Sequence, residues 1–322
     1  MRTTKLILVL AITAICQFSC GQQQQKKDLS KQPAMKITKE EYNSISKSVK
    51  TFSYNPTYSL RVNRVACTYE IFVNDMLVDF SFETGNSAGE QTAGFAQYIL
   101  RSGKQKIRVR VYPKAIKPGE LETALSPDAD LSVRVVHFEF GKGKPADAPQ
   151  VYVAKLPKLT DKLPYFEWTG EFIADVPYTL KGWSDGVDLS KEDHRALEKE
   201  VLEASERYKK AFEQKDVPTI ANMIYNREKE VAQAYFFVSG KEGNYDHGWE
   251  KLEQETKNTT KMNPIAGYSM HFFGDGKVVS LLQNKGENRD FPAIYGETAD
   301  QENFYGLLFY RPKAGAALEV IR

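Results

Sequence analysis

Apolar positions change their period twice along the chain, and the changes divide it. Arg2 and Lys5 precede the unbroken apolar run Leu6 to Cys16, which ends at Gln17. A basic start followed by roughly 7–15 apolar residues predicts a signal peptide over 1–19, because a membrane-spanning helix needs about 18–20 such residues. Residues 20–45 begin Gln-, Lys- and Ser-rich and bury too little apolar surface to offset their ordering entropy, so they predict a flexible tether.

From 46 to 186 the period is two. Tyr69–Val73 and Met76–Phe82 flank Asn74-Asp75, a two-residue hairpin turn. Ile99-Leu100 and Ile107–Tyr112 flank Ser102-Gly103, with Ile107, Val109 and Val111 on one face and Arg108 and Arg110 on the other. Leu131–Phe140, Val151–Ala154, Phe166–Ala174 and Tyr178–Trp183 complete the set, separated by Gly, Pro and Asp breakers. Short strands between such breakers predict an all-β antiparallel sandwich. Lys104, Lys106, Arg108 and Arg110 read as the basic face of a solvated edge strand.

From 187 to 322 the period lengthens and then shortens again. Ser190-Lys191-Glu192-Asp193 reads as a capping box before Leu197, Val201, Ala204, Tyr208, Ala211 and Phe212, one stripe of a long helix. Asp216 with Pro218 starts a second helix, and Trp249 with Leu252 marks a third. Past Pro264 come two hairpins, Tyr268–Leu282 around Gly274-Asp275-Gly276, and Phe304–Ile321 around Pro312-Lys313-Ala314-Gly315. Helices followed by an antiparallel sheet predict an α+β domain. The fold class expected is therefore two-domain, a β-sandwich followed by α+β.

Phe18-Ser19-Cys20-Gly21 resembles the lipobox of bacterial lipoproteins, in the relaxed form of Bacteroidota, with Gln17 standing where Leu is usual. The resemblance implies that Cys20 is acylated and heads the mature chain, anchoring it in the cell envelope, at the outer membrane. Tyr208 to Ile220 resembles the opening of the nuclear-transport-factor-2-like (cystatin-like) fold, which implies helices around a curved sheet and hosts enzymes and binding modules alike.

Charge and chemistry narrow the function. Lys and Arg number 44 against 42 Asp and Glu, and without the leader's Arg2 and Lys5 they balance, which leaves no electrostatic footprint for nucleic acid. The four histidines, His137, His194, His247 and His271, have no zinc spacing, and no cofactor motif occurs. Tyr245-Asp246-His247-Gly248-Trp249 is the most chemical-looking segment: an Asp–His pair in a pocket is a general base, whereas in a polar loop Trp249 is only a core anchor. Cys67 reads as a buried strand thiol.

The expected function is thus a non-catalytic binding module at the membrane, its partner an envelope protein or a glycan. The candidate binding residues are His247, Asp246 and Trp249, with no catalytic residue assigned; a hydrolase or other enzyme using a C-terminal pocket near His247 is the alternative, and an immunity-type inhibitor of an envelope-acting toxin is a third.

Overall fold

The computed structural model describes residues 36–139, 142, 147–284 and 288–322, which belong to one compact unit. The signal segment, Cys20 and the tether up to residue 35 lie outside the described residues.

The chain is mostly antiparallel sheet with four α-helices among the described residues. It enters through α1 (Lys39–Asn43), capped by Thr38 in a capping box with Glu41. Ile37, Tyr42 and Ile45 are buried against the C-terminal helices, and the Ile37 amide donates to the Asn222 side chain at 2.8 Å. The flexible tether expected to run to 45 therefore gives way to folded chain by 37. Its three apolar side chains have a helical surface to cover.

Two four-stranded sheets follow. One has the order β4 (Ser87–Gly94), β1 (Thr57–Val65), β8 (Asp130–Phe138), β9 (Gln150–Lys155); the other has β10 (Phe166–Ala174), β5 (Gly103–Pro113), β2 (Cys67–Val73), β3 (Met76–Ser81). Their period-two residues share one core: Tyr58, Leu60 and Val62 from β1 meet Tyr69, Ile71 and Val73 from β2. Each large apolar side chain so buried contributes about 1.5–3 kcal/mol. The chain passes from the first sheet to the second at Ala66, held at φ +49°. Asn74 and Asp75, both at positive φ, make the tight turn between β2 and β3.

Three local expectations are corrected. β5 is an inner strand, paired with β10 and β2, so its basic face is no edge guard. Lys104 pairs with Glu171 at 2.8 Å, Arg108 with Asp75 at 2.7 Å and Arg110 with Glu167 at 2.6 Å, which neutralises the row across strands. Residues 99–100 and 178–183 are not strands, although Tyr178, Leu180 and Trp183 are buried as an alternating pattern suggests. β4, built of Ser, Ala, Gly, Glu, Gln and Thr, carries no apolar alternation and was not expected. A small hairpin, β6 (Ala115–Lys117) and β7 (Glu120–Leu121), lies outside both sheets.

The helices are α2 (His194–Glu213), α3 (Val217–Tyr235) and α4 (Gly248–Asn258). Asp193, not Ser190, caps α2: its carboxylate accepts from the Ala196 amide at 2.7 Å, while Leu189–Lys191 form a 3-10 turn capped by Asp188. Asp216 caps α3. The final strands form two sheets, β11 (Lys261–Met262), β14 (Tyr295–Glu297), β15 (Glu302–Phe304), and β12 (Tyr268–Phe273), β13 (Val278–Gln283), β16 (Phe309–Tyr310), β17 (Glu319–Val320). A separate apolar cluster joins this part to the first: Phe72 and Met76 pack with Trp183, Phe273, Val278 and Tyr310. Among the described residues, no helix is long and apolar enough to cross a membrane.

Candidate functional site

Cys20 lies outside the described residues. The segment 245–249 is folded as the start of α4, and its members part company there. His247 is exposed at the helix start and gives no side-chain cap. Asp246 turns the other way: its Oδ2 accepts from the Ser239 hydroxyl at 3.0 Å and the Gly240 amide at 2.8 Å, stapling the preceding loop. Trp249 is buried, edge-on to Tyr42 at 6.3 Å, with its indole N–H donating to Glu253 at 2.9 Å. These three side chains do not converge, and Asp246 does not orient His247.

The same segment nevertheless borders a cavity of about 420 Å³, through Tyr245 and Gly248. Its remaining walls come from separated elements: Tyr42 of α1, Tyr208 of α2, Arg227 and Glu228 of α3, and Glu255 of α4. Phe304, Tyr305 and Gly306 close it from the sheet side.

At its centre is a held ion pair. The Arg227 Nε donates to Glu228 Oε1 at 2.6 Å and its Nη1 to the Gly306 carbonyl at 3.2 Å. Tyr245 donates its hydroxyl to the other Glu228 oxygen. Burial opposes the Arg227 charge, but the Glu228 carboxylate more than offsets it and raises the guanidinium above its usual range. Burial also pushes up the Tyr42, Tyr208 and Tyr245 phenols, so all three stay neutral donors at ordinary pH. Glu255 is raised by burial and by Glu228, against the pull of Arg227. The cavity thus offers a fixed cation, a fixed anion, a carboxyl biased toward its neutral form, and phenolic hydroxyls.

Sequence reasoning missed Arg227, Glu228 and Glu255. The signal was present: Ile220, Ile224 and then Arg227-Glu228 continue one inward stripe at helical spacing, as do Trp249, Leu252 and Glu255 on α4. Charged residues at core-facing positions are held there by partners, and such positions are functional candidates.

A second titratable cluster lies where β2 meets the chain after β13. Every residue of β2 is buried, so Glu70, which points away from the shared core, faces the C-terminal part. It accepts from the Tyr112 hydroxyl at 2.8 Å and stands beside Asp290, which is 6% exposed at φ +67°. Burial and the Glu70 carboxylate push Asp290 up to about 7, against Arg289 at 3.4 Å. Burial lowers His271 nearby.

The other histidines are structural. His137 bonds the Tyr54 hydroxyl at 2.6 Å and stacks on Tyr58, and His194 bonds the Ser190 carbonyl at 2.9 Å. Burial pushes the Cys67 thiol up to about 11, which leaves it a poor nucleophile. Among the described residues, no group of three or more His, Cys, Asp or Glu side chains is placed to hold a metal ion. No protein-family model, curated protein or solved structure matches this chain.

Proposed function

We propose that this protein is a cell-envelope lipoprotein, held at the outer membrane through acylated Cys20, whose body is a β-sandwich followed by an α+β domain of the nuclear-transport-factor-2-like kind. Its C-terminal cavity binds a neutral polyhydroxylated group, a glycan unit, without turning it over. The observation that carries this reading is the cavity's composition: Arg227, Glu228, Glu255 and several tyrosines converge from separate elements on one space.

A hydroxyl both donates and accepts, so a sugar pairs with the guanidinium and the carboxyls together. Arg227 and Glu228 already match each other's charge, so a neutral ligand leaves the pair intact while a charged one competes with it. Tyrosines and glycines give the close apolar walls that a sugar ring packs on.

Calorimetric titration of the mature chain with glucose and N-acetylglucosamine, against glucose 6-phosphate and glucosamine, tests the proposal. Neutral sugars should bind about tenfold more tightly than their charged analogues, one unmatched charge being worth at least 1.4 kcal/mol. Equal affinity for charged and neutral forms, release of a cleaved product, or no heat with either neutral sugar would overturn it.

A further inference from the structure

A second hollow, about 700 Å³, adjoins the first and shares Lys251 and Glu255 with it as a common wall. It runs between α4 and the turn that joins β14 to β15, and its character differs. Where the inner cavity is aromatic, the outer one adds to the shared Lys251 and Glu255 four carboxamides, Gln254 and Asn258 on α4 and Gln301 and Asn303 opposite, with Thr298, Ala299 and Asp300 at the turn. The carboxamides are paired within each wall: Gln254 donates to Asn258 at 2.6 Å and Gln301 to Asn303 at 2.7 Å. Those bonds fix the amide planes and leave the Gln254 and Gln301 oxygens and the Asn258 nitrogen outside the mutual pair. Asn303 of this lining is followed along the chain by Phe304 and Tyr305 of the inner one, so the two linings are continuous.

We infer that the two hollows form one trough for a chain of N-acetylated sugar units, one unit seated in the inner cavity and the next ones along the carboxamides. This rests on the reading of the inner cavity as a sugar site and extends it to a ligand class. An acetamido group carries one N–H and one C=O that point to opposite sides of its plane, and the two carboxamide walls offer an oxygen on one side, at Gln301, and a nitrogen on the other, at Asn258, which a single hydroxyl of a plain sugar does not span. Its methyl needs a small apolar contact, which Ala299 supplies. Gln254, Asn258 and Gln301 are exposed and Asn303 is half-buried, so an oligomer can enter from solvent, with Asp300 the charged group at the turn.

The experiment is a titration with the β-1,4-linked monomer, dimer and tetramer of N-acetylglucosamine, beside glucose oligomers of the same linkage and lengths. The affinity should rise about tenfold or more from monomer to tetramer in the acetylated series, the worth of one or two net hydrogen bonds, and by less in the glucose series. Gln301→Ala and Asn258→Ala, both at exposed positions, should each weaken the tetramer several-fold and leave the monomer unchanged, with an unaltered melting temperature as the folding control. If the monomer binds and the tetramer binds no better, or if both series gain equally, the inference fails while the inner sugar site stands. If no member of either series binds, the inner site fails with it.

Discussion

Asp290 sits in surroundings that oppose its charge. It is buried beside Glu70, which the Tyr112 hydroxyl and the Arg110 guanidinium at 3.6 Å hold in place, and burial together with this neighbouring carboxyl pushes Asp290 up to about 7. The folded pKa lies above the unfolded value of 3.8, so the folded state binds the extra proton. Its contribution to stability is fully present below pH 3.8 and is lost as the pH rises through 7. His271, lowered by burial, acts in the opposite sense, its cost growing as the pH falls below 6.5. The difference between wild type and Asp290→Asn isolates the carboxyl: the variant's melting temperature should gain on the wild type by several degrees between pH 5 and pH 8. Parallel curves for the two proteins would show that no shared proton exists at this seam.

The caps show at the level of elements how far a single chain of letters reaches. Asp216 is the N-cap of α3, its Oδ1 accepting from the Thr219 amide at 3.1 Å and its Oδ2 from the Thr219 hydroxyl at 2.6 Å. Asp216→Ala should cost about 1 kcal/mol, read as a lower denaturation midpoint with an unchanged slope; an unaltered midpoint would mean that packing alone fixes the helix start. This cap, the Asn74-Asp75 turn and the β12–β13 hairpin were legible because local chemistry and tertiary demand agree there. Ser190 misled because Asp193 offers the same oxygen three residues later, where the apolar stripe begins. β4 was hidden because its pairing with β1 rests on backbone hydrogen bonds with little apolar alternation. The cavity was half legible: Tyr245 and Gly248 lay in the segment that drew notice, but Arg227 and Glu228 become neighbours of Tyr245 only when α3 and α4 pack.

For the whole molecule, the governing feature is that both ends of the described chain return to the C-terminal core. Ile37 binds α3 at Asn222, and Arg322 reaches back to Gln97 at 2.9 Å and Glu230 at 2.8 Å. The seam between the two parts is fixed by Phe80 on Phe291 and by the Asp275 amide donating to Asp75, so a ligand taken up at the cavity is presented by one body. In the proposed anchoring, the stretch from Cys20 to Lys36 would span the distance to a bilayer, at most about 3.5 Å for each residue. Acyl chains on Cys20 would then contribute about 0.8 kcal/mol per buried CH₂, enough for several chains together to hold such a body at the membrane. The proposed anchor sets where such a body acts. Expressed in a bacterium that processes lipoproteins and grown with labelled palmitate, the wild-type protein should sediment with the membranes, carry label and begin at Cys20 by mass spectrometry, while Cys20→Ser should be unlabelled and appear in the soluble fraction. An intact Met1, or equal membrane partitioning of the two proteins, would contradict it.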